Sequence, residues 1–263
     1  MAETLIPRPA ATVLTLRDTP NGYEILMVRR NVRSEFMGGV FVFPGGALDE
    51  DDYAVPVFGL DDEHASLRLG LAQGGLGYHV AALRELFEEA GLLVVCDEQG
   101  AGVLYDDAAQ RGRLDAYRAA LNANETTLSE VLRAEGVRLD LGRIEYLAHW
   151  ITPIGPPRRY DTRFFVVQAP EGQRASHDQG ETTDLRWLRP SDALIAHERG
   201  EIEMVMPTIR NLQAIAQYSS AQDVLAFASA QEGIEAVHPR AIQREGELVI
   251  LLPGDDGYDD VSS

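Results

Sequence analysis

The sequence contains no lysine, so all 23 of its basic residues are arginines, and they face 42 aspartates and glutamates. The absence of lysine excludes a Schiff-base nucleophile and the lysine of a phosphate-binding P-loop. Any cationic contact with a phosphate must therefore come from arginine, whose guanidinium binds phosphate oxygens in pairs. The net charge of −19 disfavours non-specific binding to nucleic acid or anionic membranes. It does not exclude phosphorylated small molecules, because divalent cations can reverse the local charge.

Cysteine and long apolar segments are also scarce. Cys96 is the only cysteine, which rules out an intramolecular disulfide and favours a reducing compartment, so we expect a cytoplasmic protein. This residue ends the apolar run LLVVC, and we expect a buried thiol in a strand. The first 16 residues lack the basic and apolar segments of a signal peptide. No apolar run approaches the roughly 20 residues of a membrane helix.

Strand and helix patterns are intermixed along the chain, which predicts an α/β (α+β) class. Short runs of apolar or alternating residues predict strands on both sides of an NG turn within 10–30, and at 40–43, 92–95, 141–151, 163–168, 183–188 and 247–252. Apolar residues at helical spacing predict helices at 78–90, 106–121, 126–135, 190–200, 207–218 and 220–231. In the remaining stretch, 50–77, only about 61–73 could be helical, and the GGLG at 74–77 predicts a flexible hinge.

The helix predicted at 78–90 has two different faces. At about 100° per residue, its apolar residues form one arc and Glu85, Glu88 and Glu89 form nearly the opposite arc. Arg84 is the only cation in this stretch, although like charges at this spacing repel one another. Three carboxylates within one turn suit Mg²⁺ or Mn²⁺, which prefer hard oxygen ligands. An acidic helix face that only contacts solvent is the alternative.

Residues 84–92, RELFEEAGL, match the second half of the Nudix box, R-E-U-x-E-E-x-G-U, where U is a bulky aliphatic residue. The FPGG at 43–46 resembles the glycine pair that opens the same box. The sequence therefore resembles a Nudix hydrolase, which implies an α/β/α sandwich with a mixed sheet. Asp52 stands at the box's glutamate position, and 31 residues instead of the usual seven separate it from Arg84.

An insertion of this kind resembles the Nudix branch that contains peroxisomal coenzyme A diphosphatases and their bacterial relatives. HWITP at 149–153, RRYDTRFFVV at 158–167 and LLPGDDGYDD at 251–260 are similar to segments of that branch. The resemblance implies a single domain over 1–263, with an insertion at 50–77, a helical insertion at 105–135 and a C-terminal extension at 206–263.

The activity implied is divalent-metal-dependent hydrolysis of a diphosphate linkage in a small-molecule nucleotide. The favoured substrate is coenzyme A or acyl-coenzyme A, which would give 3′,5′-ADP and (acyl-)phosphopantetheine. Two alternatives stay open: a pyrophosphatase of ADP-ribose, NADH or nucleotide sugars, and a Nudix domain that binds a nucleotide without cleaving it. Binding of nucleic acid or membrane is not expected, and a homodimer is left open.

The resemblance also implies roles for individual residues. Glu85, Glu88 and Glu89, together with the Gly45 carbonyl, would bind metal, and Arg84 would orient a carboxylate. Glu181 is a candidate extra ligand or general base, and an exposed loop acid is equally consistent with its sequence context. The remaining candidates, which would bind substrate, are Arg29, Arg30, Arg33, Phe43, Gly46, Arg158, Arg159 and Tyr160. For these arginines, pairing with the abundant acids is the alternative, and for Tyr160 a place in the core.

Overall fold

The computed structural model describes residues 5–31, 38–178, 180–244 and 247–260. Its strands are β1 (Arg8–Thr19), β2 (Gly22–Arg30), β3 (Phe41–Val42), β4 (Gly45–Ala47), β5 (Val57–Phe58), β6 (Val95–Cys96), β7 (Arg138–Asp140), β8 (Ile144–Ile151), β9 (Tyr160–Gln168), β10 (Thr182–Leu188), β11 (Ala236–Val237), β12 (Arg240–Arg244) and β13 (Glu247–Leu251). Its helices are α1 (Asp62–Leu69), α2 (Gly75–Ala90), α3 (Ala108–Asn122), α4 (Leu128–Glu135), α5 (Pro190–Glu198), α6 (Met206–Ile215) and α7 (Ala221–Ser229).

The central sheet is mixed, with the order β10-β2-β1-β9-β8-β11, and β3 and β4 pair with β2 and β1. β1 and β9 run parallel, whereas β1 and β4 are antiparallel. Along β1 the side chains alternate: Ala11 and Val13 enter the core beneath α2, while Leu14 and Leu16 enter the core beneath α5 to α7. Because both faces of the sheet are covered by helices, the predicted α/β/α sandwich is confirmed.

The helix α2, which contains the motif at 84–92, starts earlier than its periodicity predicted, and the hinge predicted at 74–77 is wrong. The Asp62 carboxylate accepts hydrogen bonds from Gly74 N and Leu76 N, both at 2.9 Å, and the Ser66 hydroxyl accepts one from Gly75 N. A Cβ on Gly75 would lie 2.4 Å from Ser66 N. The glycines therefore permit close packing of α1 against the first turn of α2, which α1 caps.

Two predicted strands also differ from the structure. Of the segment predicted at 92–95, only its last residue is in a strand, β6. The Gln173 side-chain amide instead bonds both the N–H and the carbonyl of Leu93, at 2.8 Å each, and so replaces a strand partner. The C-terminal strand predicted at 247–252 is present as β13, but it pairs with β12 in a separate hairpin and not with the main sheet.

The helices predicted at 106–121 and 126–135 are confirmed as α3 and α4. Each begins at a capping box, made by Asp107 with Gln110 and by Thr127 with Glu130. In the described parts of the chain, no helix has the length and apolar character needed to cross a membrane.

Candidate active site

The carboxylates of α2 do not form a solvated face. Glu85 is 9% exposed and Glu89 is 3% exposed, while Glu88 is partly exposed at the rim. The apolar arc of the helix, Leu83 to Ala90, enters the core as its spacing predicted. The opposite arc is covered by β4, so that two glutamates are buried between a helix and a strand.

The distant FPGG segment supplies that strand. β4 pairs antiparallel with β1, with Gly46 opposite Ala11, and this pairing carries the glycines onto α2. Gly45 N donates to Glu89 Oε2 at 3.3 Å. A Cβ on Gly46 would lie 2.2 Å from Glu85 Oε1, so only glycine leaves room for the carboxylate. The two halves of the interrupted box therefore meet in space.

Arg84 holds the acids of the cluster together. Its guanidinium forms two bonds with Asp52, of 2.8 and 3.1 Å, and Nη1 bonds both Glu85 and Glu88 at 3.0 Å. Nη2 also donates to the carbonyl of Ala47 in β4. The Asp52 side chain is fully buried. This acid stands at the glutamate position of the motif, and its salt bridge connects that position to Arg84 in the second half of the motif. Arg84 contacts carboxylates and a carbonyl, and its role in orienting a metal-binding carboxylate stays a prediction.

The cluster contains more negative charge than Arg84 neutralises. Burial, and then repulsion by Glu85 and Glu181, raise the pKa of Glu89 well above its usual value, although Arg30 and the Gly45 N–H act in the opposite direction. Burial also raises the pKa of Glu85, and repulsion by Glu88 and Glu181 adds to this effect. The excess negative charge of the cluster would therefore be relieved by a bound cation.

The donor set fits a divalent metal ion in its chemistry, since carboxylates and a glycine carbonyl are hard oxygen ligands. The side-chain orientations favour other partners: Glu85 and Glu88 face Arg84, and Glu89 faces Gly45 N. Among the residues that the structure describes, no three acidic, histidine or cysteine side chains are arranged around one metal position. Each of these hydrogen bonds uses one carboxylate oxygen and leaves the other as a possible metal ligand.

Three of the candidate substrate-binding arginines, Arg29, Arg30 and Arg33, follow one another closely in the sequence, and of the two that the structure describes, Arg30 lies close to the carboxylate cluster. Arg30 ends β2, and its Nη2 lies 3.4 Å from Glu181 Oε1, which is mostly exposed. Both Arg30 and Glu181 are close enough to influence the pKa of Glu89. Arg29 donates to the carbonyl of Gly39 and is exposed. Arg33, also predicted to bind substrate, lies outside the described residues.

The other candidate substrate residues lie elsewhere. Arg159 donates to the carbonyls of Thr152 and Leu5, so its hydrogen bonds fasten the start of the chain. Of its neighbours, Tyr160 begins β9 and Arg158 lies two residues before that strand, and a substrate role for this group stays a prediction. Phe43 is 2% exposed and packs in the core on the side of the sheet opposite α2. It is a core residue, which corrects its assignment as a substrate contact.

Three residues that the sequence did not single out complete the surroundings of α2. Arg118 in α3 donates to the carbonyl of Glu88, and Ser176 N donates to the carbonyl of Ala90. Asp178 accepts bonds from the backbone N–H groups of Glu181 and Thr182 and thereby shapes the loop before β10. The Asp-x-x-Glu-Thr spacing is a turn signal that could have indicated Asp178. Contacts across 30 or more residues leave no such local signal.

Comparisons with known proteins show which family the chain belongs to. A family model described as the NUDT19 Nudix domain matches residues 56–215. A Xenopus laevis protein named acyl-coenzyme A diphosphatase NUDT19 is 24% identical, over 92% of this chain and 73% of its own. The human protein of the same name is 26% identical, over 95% and 76%. The crystal structure of a Nudix hydrolase from Alicyclobacillus acidocaldarius is 30% identical, with a TM-score of 0.70, and the match covers 86% of this chain and 98% of that one. The chain therefore belongs to the Nudix hydrolase family, within the group represented by the NUDT19 Nudix domain, and is an enzyme.

Proposed function

We propose that this enzyme hydrolyses the diphosphate linkage of coenzyme A or an acyl-coenzyme A and releases 3′,5′-ADP and (acyl-)phosphopantetheine. The observation that carries the reaction class is the buried carboxylate cluster of Glu85, Glu88 and Glu89, built against the β4 glycines. The relatives named acyl-coenzyme A diphosphatase support the substrate class.

Glu85, Glu88 and Glu89, with the Gly45 carbonyl, are the proposed ligands for Mg²⁺ or Mn²⁺. Such ions would neutralise the diphosphate and lower the pKa of an attacking water. Arg84 is proposed to position the carboxylates, since its guanidinium already bonds Glu85 and Glu88 at 3.0 Å and is anchored by buried Asp52. Neutralising the substrate in this way matters in a chain of net charge −19, which would otherwise repel it.

In the hydrolysis, a water oxygen bonds to one phosphorus, the bond from that phosphorus to the bridging oxygen breaks, and the other phosphate leaves with the bridging oxygen and its electron pair, while the water gives up a proton. We propose that the Glu181 carboxylate either accepts this proton as general base or serves as an additional metal ligand, because its loop lies beside Arg30 and close to Glu89. Arg30 is proposed to contact a phosphate oxygen once substrate is present, and bidentate arginine–phosphate contacts are strong.

A substrate panel tests the proposal. Purified protein is incubated with Mg²⁺ or Mn²⁺ and coenzyme A, acetyl-coenzyme A, ADP-ribose, NADH or a nucleoside triphosphate, and the products are separated by chromatography. Release of 3′,5′-ADP from the coenzyme A substrates is the expected result. AMP from ADP-ribose or NADH, without 3′,5′-ADP, would instead indicate the pyrophosphatase alternative. Nucleotide binding without turnover would indicate a binding domain.

Matched variants link turnover to the cluster. Glu89→Gln should lower turnover by orders of magnitude, whereas Glu98→Gln, which changes an exposed acid beyond β6, should not. Running the series with each metal decides between Mg²⁺ and Mn²⁺. Hydrolysis in ¹⁸O-labelled water shows which phosphorus is attacked, because the label stays on one product. From the single cysteine we further propose a cytoplasmic location, to be checked by fractionating cells.

A further inference from the structure

The last turn of α2 is closed by residues from outside the helix. The carbonyl of Phe87 is bonded by Gly91 N within the chain's own turn, whereas the Glu88 carbonyl accepts a 2.8 Å bond from Arg118 Nε. The Ala90 carbonyl accepts a 3.0 Å bond from Ser176 N. Carbonyls at a helix C-terminus have no partner within the helix, so these bonds fix where the turn ends.

Arg118 is buried without a direct salt bridge to a described carboxylate. It is 6% exposed. Burial lowers its pKa, and the described acids that act on its charge, Asp178, Asp115 and Glu89, raise the pKa from beyond salt-bridge distance. Burying an arginine without a paired acid is costly. The last turn of α2 contains no basic residue of its own, although Glu88 and Glu89 lie at the negative end of the helix dipole. Arg118 supplies the missing cation from another helix.

Gly91 makes room for this arginine. Its φ of 71° ends the helix in the left-handed conformation. A Cβ at Gly91 would also lie 3.1 Å from Arg118 Nη1. Gly91, the glycine of the box motif, therefore both ends α2 and allows the Arg118 guanidinium to reach the Glu88 carbonyl.

The same guanidinium extends to the loop that carries the candidate base. Arg118 Nη1 donates to Ser176 Oγ at 3.0 Å. Two residues later, the Asp178 carboxylate accepts bonds of 2.8 Å from the N–H groups of Glu181 and Thr182. One side chain of α3 thus connects the turn that bears Glu88 with the loop that presents Glu181.

We propose that Arg118 is a positioning residue, which sets the orientation of Glu88 and Glu89 relative to Glu181. It acts through the Glu88 backbone and through Ser176. The helical segment around α3 then has a role in the reaction as well as in the core. This inference rests on the proposed function only for what the site hydrolyses, since metal binding can be measured without substrate.

The test compares Arg118→Gln with Arg113→Gln. Arg113 lies on the same helix and is half exposed, and its guanidinium pairs with Glu135, away from α2. Mn²⁺ binding to the substrate-free proteins is measured by calorimetry, and kcat and KM are measured at saturating metal. Residues that orient metal ligands typically change metal affinity or activity about 10- to 100-fold. We expect this loss in Mn²⁺ affinity or kcat for Arg118→Gln, a nearly unchanged KM, and partial recovery in Arg118→Lys.

The control Arg113→Gln should match the wild type in both measurements. If Arg118→Gln bound Mn²⁺ and turned over like Arg113→Gln, even with a lower melting temperature, the positioning role would be refuted. Should Arg118→Gln fail to fold, Ser176→Ala removes only the link to the loop and should lower kcat several-fold; an unchanged kcat would refute the proposal. A wild-type enzyme inactive on the whole panel would overturn the proposed function, while the Mn²⁺ comparison would still decide on Arg118.

Discussion

Adding one methyl group at Gly46 should lower the activity of the enzyme far more than it lowers the stability of the fold. The new Cβ of Gly46→Ala would lie 2.2 Å from Glu85 Oε1 and 2.6 Å from its carboxyl carbon. Non-bonded heavy atoms ordinarily approach one another to about 3.5 Å, so the Glu85 carboxylate must move by more than about 1 Å. It can do so by rotating its side chain, because the atoms in the way are the end of a flexible group and not backbone.

The consequences differ for catalysis and for folding. A displacement of about 1 Å at a reacting group can cost about 100-fold in rate, so we expect kcat of Gly46→Ala to fall by about this factor. The free energy of unfolding should fall by only about 1–3 kcal/mol, the usual cost of overpacking. Steady-state kinetics on the best panel substrate and urea denaturation measure the two quantities on the same preparation.

Two other glycines provide controls. At Gly45 a Cβ would meet the Ala11 carbonyl at 2.5 Å and Thr12 Cα at 2.7 Å, which are backbone atoms, so Gly45→Ala should lose more than about 3 kcal/mol. At Gly112, in α3, a Cβ meets nothing within 4 Å, and Gly112→Ala should gain about 0.5–1 kcal/mol with unchanged activity. If Gly46→Ala kept wild-type kcat, the placement of the Glu85 carboxylate against β4 would not matter for the reaction.

Three further predictions follow from the same contacts. Glu89→Gln should raise the melting temperature of the metal-free protein at neutral pH. Because the pKa of Glu89 is raised in the folded state, the wild type loses stability as pH rises above about 4.3, the pKa of an unfolded glutamate. The melting temperature measured from pH 5 to 8 should therefore change less with pH in the variant. Asp52→Ala should lose about 1–3 kcal/mol in urea denaturation, because it leaves the buried Nε of Arg84 and the N–H of Asp49 without the acceptor they bond, whereas Asp51→Ala at the exposed neighbour should change little. Asp62→Ala should cost about 0.5–2 kcal/mol by the same measurement and shift the start of α2, since two N–H groups lose their cap.

Much of the box could be predicted from local sequence. The apolar spacing of Leu83, Leu86, Phe87 and Ala90 and the stop at Gly91 define the helix, and both signals lie within one turn or two of the residues they fix. The motif position of Asp52 could be read from the sequence, whereas its contact with Arg84 was not predicted. Signals of this kind are short-range and depend on backbone geometry.

The environment of the carboxylates could not be predicted in the same way. Glu85 and Glu89 are buried because β4 is carried onto them by pairing with β1, a contact between segments far apart in the chain. Local polarity suggested a solvated face, and local glycine content suggested a hinge at 74–77. In both cases tertiary packing overrode the local preference, and Arg118 reaches α2 from a segment whose sequence contains no sign of it.

The contact between Asp52 and Arg84 holds the two halves of the motif together although 31 residues lie between them. Extending the connection between these residues from seven residues to 31 adds only about 1.3 kcal/mol of loop-closure entropy. One end of the extension is fixed by Asp52 on Arg84, and the other by Asp62 on the first turn of α2. The nine residues between these two anchors, 53–61, include β5, which pairs with β7, so further lengthening at little entropic cost is expected only in the residues on either side of that strand.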